Sequence, residues 1–312
     1  MHTNSRNSDK AKLITGTLLS AALLLGGCSN TNGDSNKGGE EKVSKPSNTF
    51  VSIDNYNGEG YELPNGKKTD KVAEANRDQI TEATKKFFLD TYKTEVNVHN
   101  IVGNKDGASV FVESVGEPHF HTFAIVPIDS QEKVMTDGIW TQEGQVEAAI
   151  KSGLYAMIYE DQLKELDSYL EDFTSKQPVT GMQEEAIQNV RSTGFTTPYY
   201  YISVLDDGFD ALYENYLENP KTTKEEWQQA AQSLEINPKG YRITIQLFMK
   251  EKDQKPDQKI LDQISTDLEN MDTLSPGYYS VYLNDNTIDA KSADGTKEST
   301  IKRANPNYIK KQ

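Results

Sequence analysis

The chain has one cysteine, four histidines and two tryptophans in 312 residues. A single cysteine, Cys28, excludes an internal disulfide, so any folded region must hold together on its own core. No apolar run approaches the roughly 20 residues that a membrane-spanning helix needs; the longest stretches only from Leu13 to Leu25. Basic residues are also short, 33 Lys and Arg against 48 Asp and Glu, for a net charge of −15. That balance argues against nucleic acid as a partner and against lying flat on an anionic membrane. No local run of basic residues offsets it. Signatures are missing as well. There is no GxSxG elbow for a serine hydrolase, and Gly58-x-Gly60 lacks the flanking strand, helix and completing residues of a phosphate loop. Asn284–Asp289, NDNTID, resembles a calcium loop without its glycine and closing glutamate, and reads as a turn.

What is present begins at the N-terminus. Arg6, Lys10 and Lys12 precede the apolar run, which ends in Leu25-Gly26-Gly27-Cys28. A basic segment, a short apolar segment and small residues before a cut describe an export signal over 1–27. The cysteine directly after the small residues resembles the lipobox of bacterial lipoproteins. That resemblance implies cleavage before Cys28 and a diacylglyceryl group on its sulfur, leaving no thiol for catalysis. Two acyl chains on one residue give a stable anchor where one would be marginal. The expected partner is therefore the lipid bilayer, and the expected location the outer face of the cell membrane. Residues 28–49 follow as a tether. Almost nothing in SNTNGDSNKGGEEKVSKPSNT can be buried, and a flexible coil of that length reaches on the order of 25 Å.

The folded region is expected over 50–312. A helix is predicted from Asp70, as N-cap, to Tyr92, with Val72, Ile80, Ala83 and Phe87 on its apolar stripe and Phe88 widening the face. Three β runs follow at 96–102, 108–115 and 119–126, joined by short glycine-bearing connectors, which predicts an antiparallel meander. Helical periodicity returns over 145–158 and through Leu163, Leu166, Leu170 and Phe173 to Pro178. Strands are expected at 197–205, 241–248 and 277–285. Two short helices lie between the first two, the second opening on a Thr223-x-x-Glu226 capping box, and a further helix is expected near 257–271. A polar tail closes the chain. Helices and strands that do not alternate regularly predict an α+β fold, mainly antiparallel sheet packed by helices, with a possible seam between two lobes near 174–182.

Past the signal, the remaining histidines are His99, His119 and His121, all in the expected meander. A GEP hairpin sets Val115 opposite His119 and Glu113 opposite His121. His119 and His121 then share a face, with Glu113 or Glu117 as a third donor, a His₂Glu set of the kind zinc uses. His99 lies on the first strand. Outer strands of a three-stranded sheet stand about 9–10 Å apart, so it is expected to stay outside any joint site. The plainer reading leaves both histidines in solvent or capping carbonyls, with Phe123 and Ile125 entering the core. Tyr199–Tyr201 and Tyr278, Tyr279 and Tyr282 could serve as aromatic platforms, but neighbouring strand residues alternate faces and β-propensity explains them equally. Trp140 and Trp227 are read as core or interface anchors.

The lipobox, YNGEGYELPNG, HFHTFAIVPID, DGIWTQEGQVEAAIKSGLYAMIY and STGFTTPYYYIS together resemble a family of Gram-positive bacterial lipoproteins known only as a domain of unknown function. The resemblance implies a membrane lipoprotein facing outward, and it carries no activity beyond lipidation of Cys28. The sequence thus assigns no catalytic residue, no metal and no cofactor. Its leading expectation is a non-catalytic binding or envelope-associated role. One rival is a metal-dependent envelope hydrolase using His119, His121 and Glu113. The other is a lipoprotein that binds a small ligand or metal.

Overall fold

A computed structural model describes residues 49–312 apart from position 206. The export signal, Cys28 and the tether up to residue 48 lie outside the described residues. Strand β1 (Phe50–Ser52) leads into a turn in which Gly58 and Gly60 take positive φ. Two helices follow where the sequence predicts one, α1 (Lys67–Ala75) and α2 (Arg77–Tyr92), divided at Asn76. Because of the break, α2 buries Ile80, Thr84 and Phe88, while Phe87 is left half-buried.

Asp70 is not the N-cap. It sits in the first turn of α1, and its Oδ1 accepts the N–H of Gly103 at 2.8 Å. Gly66, just before α1, meets the same backbone, and a Cβ there would lie 1.8 Å from the Gly103 carbonyl oxygen. No rotamer relieves a clash between backbone atoms. Gly66→Ala is therefore expected to destabilise the fold by about 1–3 kcal/mol, read as a lower denaturant midpoint at unchanged slope.

The meander forms as predicted, with β2 (Val96–Asn104), β3 (Gly107–Ser114) and β4 (His121–Pro127) in the order β2-β3-β4. One side of this sheet is core, carrying Val110 and Val112 from β3 and Phe120, Ala124 and Val126 from β4 or just before it. It packs in one apolar cluster with α2, α3 (Gln145–Ile158) and α4 (Glu160–Lys176), whose Leu163, Leu166, Leu170 and Phe173 are all buried.

Beyond α4 come β5 (Val179–Thr180), α5 (Glu184–Val190), β6 (Tyr200–Val204), α6 (Asp210–Glu218) and α7 (Lys224–Ala231). The capping box at Thr223 and Glu226 opens α7, which buries Trp227. Then follow β7 (Tyr241–Met249), α8 (Gln258–Asn270) and β8 (Gly277–Asn284). The polar tail is not structureless: it supplies β9 (Thr287–Asp289), β10 (Ile301–Arg303) and β11 (Ile309–Lys311). Three-residue strands carry too little periodicity to be read from sequence.

Strands β5 and β6 both pair with β7, and β10 and β11 both pair with β8. All these pairs are antiparallel, but β7 and β8 run parallel because α8, and not a hairpin, connects them. The fold is α+β, with two antiparallel sheets, the meander and the β1–β9 pair, and one mixed sheet. The described residues from 49 to 312 make one compact unit, and at 174–182 the strand β5 is hydrogen-bonded to β7.

Candidate metal centre

On the side of the meander away from the core, alternation places Glu113 on β3 directly opposite His121 on β4. The loop before β4 is fixed from within. Ser114 Oγ donates to the Pro118 carbonyl and accepts from the Phe120 N–H, each at 2.9 Å. The Glu117 carboxylate accepts the His119 N–H at 2.9 Å, so this residue holds the His119 backbone and is not the third donor. Glu113 is. His119 Nε2 lies 2.8 Å from Glu113 Oε1, and the two imidazoles meet edge to face, centroids 5.2 Å apart. One donor atom from each of Glu113, His119 and His121 lies within 4.8 Å of the other two.

His99 joins this group in a way strand spacing alone does not suggest. The register of β2 on β3 shifts between Val98 and Asn100, a bulge with His99 as the extra residue. Its Nε2 lies 2.7 Å from Glu113 Oε2. It is outside the three mutually close donors, as the spacing argument requires, yet it bonds the carboxylate they share. One carboxylate on the middle strand thus links an imidazole from β2 with one from the loop that leads into β4.

Unlike the other two, the His121 ring is fully buried, and neither of its nitrogens has a hydrogen-bond partner. On the far edge of β4, the N–H and C=O of His121 exchange bonds with Gly194, each at 2.9 Å. A neutral imidazole always carries one N–H, and leaving it unmet inside a protein costs about 1–3 kcal/mol. Burial, reinforced by the neighbouring His119, depresses the His121 pKa to about 4, although Glu113 works against the shift. For Glu113, burial favours the protonated acid. The bonds from His119 and His99 outweigh it and hold the carboxyl below its ordinary value.

Helix α5 covers the group. Asn100 on β2 donates to the Asn189 carbonyl at 3.0 Å, docking the helix, and Gln188 Nε2 stands 3.4 Å from Glu113 Oε2. At the helix start Glu184 is pushed up by burial and by the Glu113 charge, which places a second carboxylate beside the group. With only seven residues, α5 is too short for its periodicity to stand out, and it is not among the helices expected from sequence. Its one local signal is Gln183-Glu184-Glu185 followed by Ala186, Ile187 and Val190, acidic residues in a first turn and an apolar face.

The same side of the sheet continues away from the histidines. Phe111 and Phe123 stand 5.9 Å apart, with Tyr61 edge-on to Phe111, so Phe123 and Ile125 are half-buried here and do not enter the main core. Past them lies an open groove of about 450 Å³ between Leu63–Pro64 and the exposed Trp140. β4 is an edge strand, its central neighbour being β3. The loop at 284–289 is a turn: Asp285 Oδ1 accepts from the N–H and Oγ1 of Thr287 at 2.9 and 2.8 Å and pairs with Lys297. An ammonium at that carboxylate takes the place a calcium ion would need.

The sequence profile of a protein family described as of unknown function, DUF1672, matches residues 43–311. A crystal structure of a DUF1672 family protein from Staphylococcus aureus is similar in fold, with TM-score 0.67 at 20% identity, covering 83% of this chain and 97% of that one. No curated protein matches the chain.

Proposed function

This chain belongs to the DUF1672 family of proteins of unknown function, and we propose that it is a lipid-anchored, outward-facing protein whose folded region binds a divalent transition metal, zinc above all, through Glu113, His119 and His121. The observation that carries the metal reading is the His121 ring, buried with no partner at either nitrogen and within 4.8 Å of two further donors. An imidazole nitrogen that meets no hydrogen bond is a free lone pair aimed at its neighbours once the other nitrogen carries the proton.

Two imidazoles and a carboxylate suit zinc and its neighbours and do not suit calcium or magnesium, which take oxygen donors. Bringing the three donors to bonding distance requires the His119–Glu113 hydrogen bond to give way. The His99 bond to Oε2 can persist meanwhile and keep Oε1 directed at the ion. Binding fits the site better than hydrolysis. A catalytic zinc keeps a position open to substrate, whereas His121 is fully buried and α5 lies over the carboxylate. Titration of the purified, chelator-treated chain with Zn²⁺ is expected to give one ion bound per chain. Sub-stoichiometric uptake would refute the metal reading.

The anchor rests on the sequence pattern around Cys28. In cells, Cys28→Ala is expected to release the protein from the membrane or leave its precursor uncut. Normal processing with full membrane retention would remove the anchor from the proposal.

A further inference from the structure

The second sheet carries a feature at odds with the acidic chain around it. Its register brings Tyr201 and Ser203 of β6, Arg242, Thr244 and Gln246 of β7, and Tyr278, Ser280 and Tyr282 of β8 onto one side. β10 adds Lys302, opposite Tyr282, and β11 adds Lys310, opposite Tyr278. No position on this side of these strands is acidic. The other side is core, lined by Ile243, Ile245, Leu247, Tyr279, Val281 and Leu283.

The three cations are held by aromatic rings and not by carboxylates. The Arg242 guanidinium stands 4.9 Å from the centre of the Tyr278 ring and 5.0 Å from that of Tyr308. Lys310 lies 5.5 Å from the same Tyr278 ring, and Lys302 lies 5.5 Å from Tyr282. Among the described residues, Arg242 donates only to the carbonyls of Lys239 and Tyr241. Elsewhere the described lysines and arginines form fifteen close pairs with acidic groups together with the histidines, and none of those pairs includes Arg242, Lys302 or Lys310. Cation–π contact leaves the full positive charge available to an anion, and it fixes long side chains that would otherwise lose entropy on binding.

From this we infer that the face binds an extended polyanion bearing phosphate groups. The charge pattern selects an anion, and its spacing selects a polymer. Lys302 and Lys310 register four residues apart on β8, about 13 Å along the strand, with Arg242 across the sheet from them, so no single small anion reaches all three. A bilayer surface could reach them. However, it would bring the net charge of −15 against like charge over a wide area, whereas a polymer strand touches only the stripe. Guanidinium and ammonium groups both bind phosphate well, the former through two parallel bonds.

The test uses the full chain in nonionic detergent and, as probe, inorganic polyphosphate of about ten or more units, with binding followed at several salt concentrations. Saturable binding that weakens as salt rises is expected, as is much weaker binding of orthophosphate. Lys302→Gln with Lys310→Gln, both on exposed side chains, should weaken it on the order of tenfold, and adding Arg242→Gln should abolish it. A charge-matched control, Lys85→Gln with Lys86→Gln on α2, should leave it unchanged. The inference is overturned by any of three results: no polyphosphate binding, equal loss in the control, or binding only to vesicles of anionic phospholipid. Far-UV circular dichroism and a thermal melt of each variant separate loss of binding from loss of fold.

Discussion

His121→Ala is expected to lower zinc affinity by about a hundredfold or more, since it removes one of only three protein donors. Glu113→Gln should act comparably, because the neutral amide is a poorer donor and the charge that offsets the ion is lost. His99→Gln is the informative contrast. It leaves all three donors in place but removes the bond that orients the carboxylate, so a loss of roughly 10–100-fold is expected. Calorimetric titration with Zn²⁺ gives the affinities. Thermal unfolding gives an independent reading, since a ligand at a hundred times its dissociation constant adds about 2.7 kcal/mol of stability. Zinc should therefore raise the melting temperature of the parent chain and leave that of His121→Ala unmoved. Equal shifts in both proteins would place any bound zinc elsewhere.

The second large effect concerns acid, in protein stripped of metal with a chelator. The His121 ring is held neutral in the fold, with its pKa depressed to about 4 from an ordinary 6.5. The unfolded chain therefore binds a proton that the folded one refuses between these values, and stability rises with pH across that window. This contribution is present in full above about pH 6.5 and is lost progressively as pH falls to about 4. At 1.36 kcal/mol per pH unit the loss amounts to roughly 3 kcal/mol.

Glu113 acts in the same direction, its lowered pKa also favouring the fold at higher pH, while the raised Glu184 opposes it. For that reason the comparison, and not the bare profile, carries the prediction. His121→Leu keeps an apolar side chain of similar bulk in the buried position and has nothing to protonate. Its denaturation midpoint should change much less between pH 6.5 and 4 than that of the parent. Two parallel profiles would mean that the ring is solvated or bonded, and would remove the orphaned imidazole on which the metal proposal depends.

How far the sequence reaches into this molecule differs from element to element. Strict alternation in YRITIQLF and the period of QVEAAIKSGLYAMI each specify one element, because burial of one face is a local property of the pattern. The hairpin connectors GNKDG and GEP likewise specify the meander, and with it the pairing of Glu113 with His121. Glu113, His119 and His121 are therefore legible as neighbours from strand alternation and one short connector. Local pattern fails where a partner distant in sequence decides. The strands of the tail form because β8 offers them an edge, and α5 holds because Asn100 and the meander meet it.

The same division separates two kinds of chemistry. The sequence by itself determined the α+β class, the absence of disulfides and the neighbourhood of His119, His121 and Glu113. Only the tertiary structure decided that a bulge delivers His99 to the same carboxylate and that the His121 ring is buried without a partner. It also gathers Arg242 with Lys302 and Lys310, about sixty residues further along the chain, into one basic stripe in an acidic protein. Periodicity reports which side of an element is buried. It does not report what lies against that side, and a site made of long-range neighbours exists only once the strands are in register.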